Sequence, residues 1–260
     1  MPATDFLPRS LHNAFSKTGW QTDPLKGLMA LQNNPEFDSY FDNFLGTRTG
    51  TWPAGTPYAA TVGTGTEVIG ITQAPGGTMP LTTGTGGSDT AGQGFGLNWS
   101  GDRGFYFIAR FKMATRITNV KFEVGMTDSV ADNGAVATKA TPSFTATDCA
   151  IAVLDTTDNA NVTFVSNGGT ADANADWGGT LVNNQYLVVE IVGSGPTDTT
   201  GDNAACYING QLVGSGNIGG DAALTPWFYI EDLAQSAATV LTVDYWGCVG
   251  PKPAQYGVST

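Results

Sequence analysis

Apolar and polar positions alternate along most of this chain, and the alternation has the two-residue period of β-strands. Phe105, Phe107, Ala109, Phe111 and Met113 interleave with Tyr106, Ile108, Arg110 and Lys112. That pattern predicts a long strand with one face in a core. Val120, Phe122, Val124 and Met126 predict the next strand, and Cys149, Ile151 and Val153 another. Val162 and Phe164 follow, and Tyr186–Val192 is a nearly continuous apolar run expected of a central strand. In Cys206-Tyr207-Ile208-Asn209-Gly210-Gln211-Leu212-Val213, an Asn-Gly step divides two apolar runs. This predicts a hairpin with a type I′ turn, in which both central residues need positive φ. Trp227–Ile230 and Leu241–Trp246 close the series. A short strand is expected at Glu67–Ile71, and residues 84–94 read as an exposed loop. Strands at this spacing predict a two-layer antiparallel sandwich.

The first 45 residues break the period. Ser10–Phe15 fits one or two helical turns. Asp23-Pro24 suits a helix cap and first position, and Leu25, Leu28, Met29 and Gln32 then share a face. Phe6, Leu7, Leu11, Phe15, Trp20, Leu25, Leu28, Met29 and Leu31 are too apolar for a segment this short to satisfy alone. These nine residues are the expected anchors of an N-terminal arm over 1–45. The sandwich is expected over 46–250, with a tail over 251–260.

Composition narrows the function. Charged residues make up 13% of the 260, and Gly contributes 35, so Thr, Asn, Ser and Gly must cover much of the surface. The net charge of −12 argues against a general nucleic-acid grip, which needs clustered Lys and Arg, and against anionic membranes. No stretch approaches the length of an apolar span. Met1–Asp5 lacks the basic and apolar regions of a signal peptide. Cys149, Cys206 and Cys248 are an odd number in apolar settings; free buried thiols made in a reducing cytoplasm are expected.

Gly104–Phe111, with its aromatic alternation, resembles the early strand of concanavalin A-like jelly rolls such as legume lectins, laminin-G domains and family 16 glucanases. Tyr207–Val213 resembles their hairpin, and Val243-Asp244-Tyr245-Trp246 their closing strand. The resemblance covers residues 45–250. It implies an all-β, two-sheet antiparallel jelly-roll sandwich. Phe41-Asp42-Asn43-Phe44-Leu45-Gly46, the Lys-poor composition and the short arm look like phage virion proteins, in particular capsid decoration proteins. That likeness implies a virion structural protein, made in the host cytoplasm. Its partners would be other virion proteins, the major capsid protein first, and further copies of itself. The alternative is a lectin-like carbohydrate-binding module of a phage tail or fibre, with a surface glycan as ligand.

The search for chemistry favours a non-enzyme. The five glutamates are Glu36, Glu67, Glu123, Glu190 and Glu231, and none stands in the Glu-x-Asp-x-x-Glu pattern of the glucanase relatives. Two carboxylates about 5 Å apart are required for retaining hydrolysis. Glu123 and Asp128, five apart, fall on opposite strand faces. Glu190 reads as one polar position on a strand, and Glu231-Asp232 as a strand end. The only histidine, His12, lies in the arm. No cofactor motif, zinc cluster or phosphate loop is present, so no catalytic residue, cofactor or metal ligand is expected. The oxygen-bearing stretches 172–176 and 198–203 could offer calcium ligands, as the lectin likeness implies, but neither matches the EF-hand pattern and both read as turns. Trp52, Trp99 and Trp177 read as core or interface positions rather than sugar platforms.

Overall fold

The computed structural model describes residues 37–44, 60–65, 68–70, 77–96, 99–101, 103–168, 171–195, 202–219, 223–234 and 237–251. The nine expected anchors, the expected helices, His12 and Trp52 lie outside the described residues.

Eighteen strands follow one another among the described residues. They are β1 (Phe37–Asp42), β2 (Ala60–Thr64), β3 (Val68–Ile69), β4 (Met79–Thr82), β5 (Thr90–Gly94) and β6 (Trp99–Ser100). Next come β7 (Phe105–Met113), β8 (Val120–Thr127), β9 (Val136–Thr138), β10 (Ser143–Phe144), β11 (Asp148–Asp155) and β12 (Asn159–Gly168). The last are β13 (Ala171–Asp176), β14 (Leu187–Gly193), β15 (Ala204–Ile208), β16 (Gln211–Gly216), β17 (Ala223–Asp232) and β18 (Val240–Pro251). One sheet runs β16-β15-β14-β7-β18-β4-β3, with β1 also on β18. The other runs β13-β12-β11-β8-β17-β5-β2, with β6 on β17. Their pairings are antiparallel throughout. Among the described residues, the all-β two-sheet sandwich expected from the sequence is the observed architecture.

Period-two alternation explains which side chains meet between the sheets. Phe105, Phe107, Ala109, Phe111 and Met113 from β7 pack with Val120, Phe122, Val124 and Met126 from β8 in the central core. Trp246 anchors one end of that core, its ring 4.0 Å from Phe95 and 6.3 Å from Phe228 between centroids. The Asn209-Gly210 hairpin joins β15 to β16 with φ of 51° and 76°, the positive values a type I′ turn requires. The three thiols are free and buried.

Two sequence expectations fail in the second sheet. The loop expected over 84–94 ends at Asp89, because Thr90–Gly94 is the buried strand β5. Its composition is too small and polar to show a hydrophobic period. The small residues are needed there: a Cβ on Gly92 would lie 2.7 Å from the Trp227 ring and 2.8 Å from Val62. The stretch 172–176, expected as a turn, lies in the edge strand β13, which pairs with β12. The sandwich also begins upstream of 46, since β1 pairs with β18 from Phe37↔Pro251 to Asp42↔Trp246.

Four strand ends meet at one pole. β7 runs into β8 between Met113 and Val120, and β17 into β18 between Asp232 and Val240. Ala114 N–H donates to Val240 O at 2.9 Å, and Leu233 N–H to Asn119 O at 3.0 Å. The opposite pole carries Phe37 and Pro251, through which residues 1–36 and 252–260 join the sandwich.

Candidate functional site

The outer face of the second sheet is built in cross-strand rows. One row runs Asp155, Lys121, Glu231, Thr90 and Thr64 across β11, β8, β17, β5 and β2. The next runs Val153, Glu123, Tyr229, Gly92 and Val62. The third is apolar, with Ile151, Gly125, Trp227 and Gly94. A loop over residues 130–146, which includes β9 and β10, covers the second and third rows. Its Val130, Ala135, Val136, Phe144 and Ala146 pack on Cys149, Ile151, Val153, Val165, Trp227 and Tyr229.

Glu123 fastens that loop. Its Oε2 accepts Ala135 N–H at 2.7 Å and the Trp227 indole N–H at 2.9 Å. Its Oε1 accepts Val136 N–H at 3.0 Å and pairs with Lys121 Nζ at 3.2 Å. Lys121 Nζ also donates to Val136 O and lies 5.4 Å from the Tyr229 ring centroid. The carboxylate is fully buried with four donors, so its charge is paid for locally by hydrogen bonds and a cation.

Where the loop stops, the first row opens into a cavity of about 310 Å³ at the pole where β17 passes to β18. Thr64, Ser88, Thr90, Asp132, Asn133, Tyr229 and Glu231 line it. Tyr229 forms the buried floor, and its hydroxyl lies 3.1 Å from Asp132 O and 3.2 Å from Glu231 Oε2. Burial pushes the Tyr229 phenol up, and the Glu231 and Glu123 carboxylates push the same way. Burial also raises Glu231, helped by Asp155 and Glu123, while Lys121 and the Tyr229 bond oppose it. On the rim, Thr64 and Thr90 hydroxyls lie 3.2 Å apart, and the Thr64 hydroxyl donates to Ser88 O at 3.2 Å.

These groups offer hydroxyl and amide donors, carboxylate and hydroxyl acceptors, and one phenol. That mixture suits a ligand whose own groups both donate and accept, such as a polyol. Glu231 and Asp132 both line the cavity, while both oxygens of Glu123 are engaged beneath the loop. Among the described residues, no group of three or more His, Cys, Asp or Glu is placed to hold a metal ion.

Glu231 is more than a strand end: with Asp132 it is an acidic member of the cavity lining. The register could have shown this, because Lys121, Glu231 and Thr90 are one row, but the sequence does not reveal which strands are neighbours. Glu190 lies on the outer face of the first sheet, where its Oε1 accepts the Tyr106 hydroxyl. Trp99 and Trp177 are core residues at 5% and 8% exposure. Asn203, in the second oxygen-bearing stretch, is bound to Ile218 on both amide atoms, at 2.7 and 2.9 Å.

No family model matches the chain, and no curated protein matches it. Solved structures do share its sandwich. A protein of unknown function from Shewanella oneidensis superposes with a TM-score of 0.56 at 13% identity, over 85% of this chain and 89% of that one. The Emp47p carbohydrate recognition domain gives 0.53 at 7%, over 84% and 99%. The endo-β-1,4-glucuronan lyase of Trichoderma reesei gives 0.52 at 9%, over 75% and 91%. Legume lectins are similar too. At such identities the likeness establishes the fold, a concanavalin A-like jelly roll.

Proposed function

We propose that this chain is a non-enzymatic carbohydrate-binding module that takes a saccharide in the cavity beside Tyr229. The observation that carries the reading is the lining itself: Thr64, Ser88, Thr90, Asp132, Asn133 and Glu231 around one phenol. A sugar presents hydroxyls that donate and accept along its edge, and this lining offers partners for them. Carbohydrate recognition by neighbours of the same fold supports the reading. No glutamate stands in the Glu-x-Asp-x-x-Glu pattern of the glucanase relatives, which supports binding without cleavage. A glycan array with the full chain, followed by calorimetry on the hits, tests it. Binding that weakens at least tenfold in E231A and in D132A/N133A is expected. Absence of binding to any glycan at millimolar concentration overturns the reading.

A second reading concerns where the module works, and one feature of the fold favours it. Phe37 and Pro251 pair on the first sheet at one pole, while the cavity opens on the second sheet at the other. A subunit held through its terminal segments would present the cavity outward. This fits a virion surface protein anchored by Phe6, Leu7, Leu11, Phe15, Trp20, Leu25, Leu28, Met29 and Leu31 to the major capsid protein and to neighbouring copies. Mass spectrometry of purified particles tests this placement, and absence of the chain from them overturns it.

A further inference from the structure

The loop that walls the cavity has a second fastening, at Lys139. This lysine is 1% exposed. Its Nζ donates to Asn159 Oδ1 at 2.7 Å, Asn161 O at 2.9 Å and Asn159 O at 3.2 Å, with Asp158 Oδ2 at 3.8 Å. The oxygens belong to the β11–β12 turn and the first residues of β12, within Asp155-Thr156-Thr157-Asp158-Asn159-Ala160-Asn161. The turn holds itself in shape. Asn161 N–H donates to Asn159 Oδ1 at 2.8 Å, Asn159 Nδ2 to Asp158 Oδ2 at 3.2 Å, and Asn161 Nδ2 to Asp176 Oδ2 at 2.8 Å. Two backbone carbonyls and a side-chain amide oxygen therefore converge on one point, beside carboxylates.

We propose that this turn is a cation-binding cage which the chain fills with its own ammonium, so that the cavity wall is held without a metal ion. At least three oxygens accept from this one ammonium. Oxygen lies at about 2.3–2.6 Å from calcium, whereas charged N–H···O bonds run at about 2.7–2.9 Å. The observed 2.7–3.2 Å spans hydrogen-bonding distances for an ammonium. Lys139 reaches the turn from the loop that supplies Asp132 and Asn133 to the cavity. The ammonium thus joins the wall to the sheet at a point separate from Glu123. The consequence for saccharide binding rests on the reading of the cavity above, but the cage does not.

The test uses thermal melting of the full chain and needs no saccharide, so its failure and that of the glycan reading are distinguishable. The wild type should melt at the same temperature with EDTA, with calcium chloride or with neither. K139A, which opens room at the cage, should melt about 3–10 °C lower, from the loss of charged hydrogen bonds in a chain of this size. Methylammonium chloride at 100 mM should recover at least half of that loss, and sodium chloride at the same ionic strength should not. K139M keeps the aliphatic stem and should also melt lower; it carries the comparison if K139A does not fold. Three results overturn the proposal: a wild-type melting point that falls with EDTA, lysine variants that melt as the wild type does, or a K139A deficit that methylammonium and sodium leave equal.

Discussion

Glu123 on β8 accepts the indole N–H of Trp227 on β17 at 2.9 Å, in a place neither side chain shares with solvent. The contact ties a buried carboxylate to the neighbouring strand, while its other bonds tie the loop over 130–146 to the sheet. E123A should therefore destabilise the fold by about 3–5 kcal/mol, the usual result of stranding one partner of a buried ion pair. The charge left behind is Lys121, 6% exposed. K121M/E123L should recover part of the loss, because no buried charge remains, while Ala135 N–H, Val136 N–H and the Trp227 indole still lose their acceptor. Urea midpoints of the three proteins check this, and an E123A midpoint equal to the wild type contradicts it.

How far the sequence reaches is clear from these residues. Strands such as β7 and β8 were legible because one face of each enters a core, so apolar residues recur at every second position. The Asn209-Gly210 turn was legible because positive φ is a local demand. β5 was hidden, since Thr90–Gly94 is selected for smallness beneath Trp227 and carries no period. The cavity was hidden for a different reason. Thr64, Thr90, Asp132 and Glu231 come from distant stretches of chain, and only the register of β2, β5 and β17 places them side by side. The role of Glu123 needed the loop as well as the register.

Glu231 gives a pH dependence with a definite sign. Burial raises its carboxyl above the unfolded value of about 4.3. The native state then holds the proton more tightly than the unfolded chain. The stability this contributes is fully present below the unfolded value and is lost as pH rises through the folded one. E231Q stays neutral, so its stability relative to wild type should improve as pH goes from 4 to 7. Glu231 is partly exposed, so the change should stay under about 1 kcal/mol. Urea melts across that range decide it, and a relative stability that moves the other way contradicts the assignment.

Cys149, Cys206 and Cys248 are free and fully buried, and burial raises all three thiols. A charged alkylating reagent should find none of them in the folded protein, because reactivity requires an exposed thiolate. After denaturation without reductant, intact mass should show three adducts. A count of one would mean a disulfide.

Two glycines should respond differently to alanine. Gly210 has φ of 76° and no atom within 4 Å of a built Cβ, so G210A should cost about 1–2 kcal/mol from backbone strain alone. Gly92 has Trp227 and Val62 at 2.7 and 2.8 Å, so G92A should cost more, through displacement of the Trp227 ring. Denaturant midpoints rank them, and the reverse order would contradict the packing under Trp227.

The last prediction separates anchoring from folding. β1 covers β18 from Trp246 to Pro251, Phe37 is buried, and Tyr40 stacks on Trp246 with ring centroids 4.8 Å apart. Deleting residues 1–36 leaves that strand in place; deleting 1–44 strips it and exposes the edge of β18. An uncovered edge beside apolar residues invites pairing with another chain. The longer deletion should therefore aggregate, while the shorter one should keep β-type circular dichroism and a cooperative melt. The nine apolar residues lost with 1–36 would each yield about 1.5–3 kcal/mol when buried. On the proposed anchoring they are buried against neighbouring subunits, and several copies hold together by avidity. The shorter deletion should then fold but fail to enter particles. Loss of folding in that protein would assign residues 1–36 to the sandwich itself, and normal incorporation of a folded protein would remove the anchoring role.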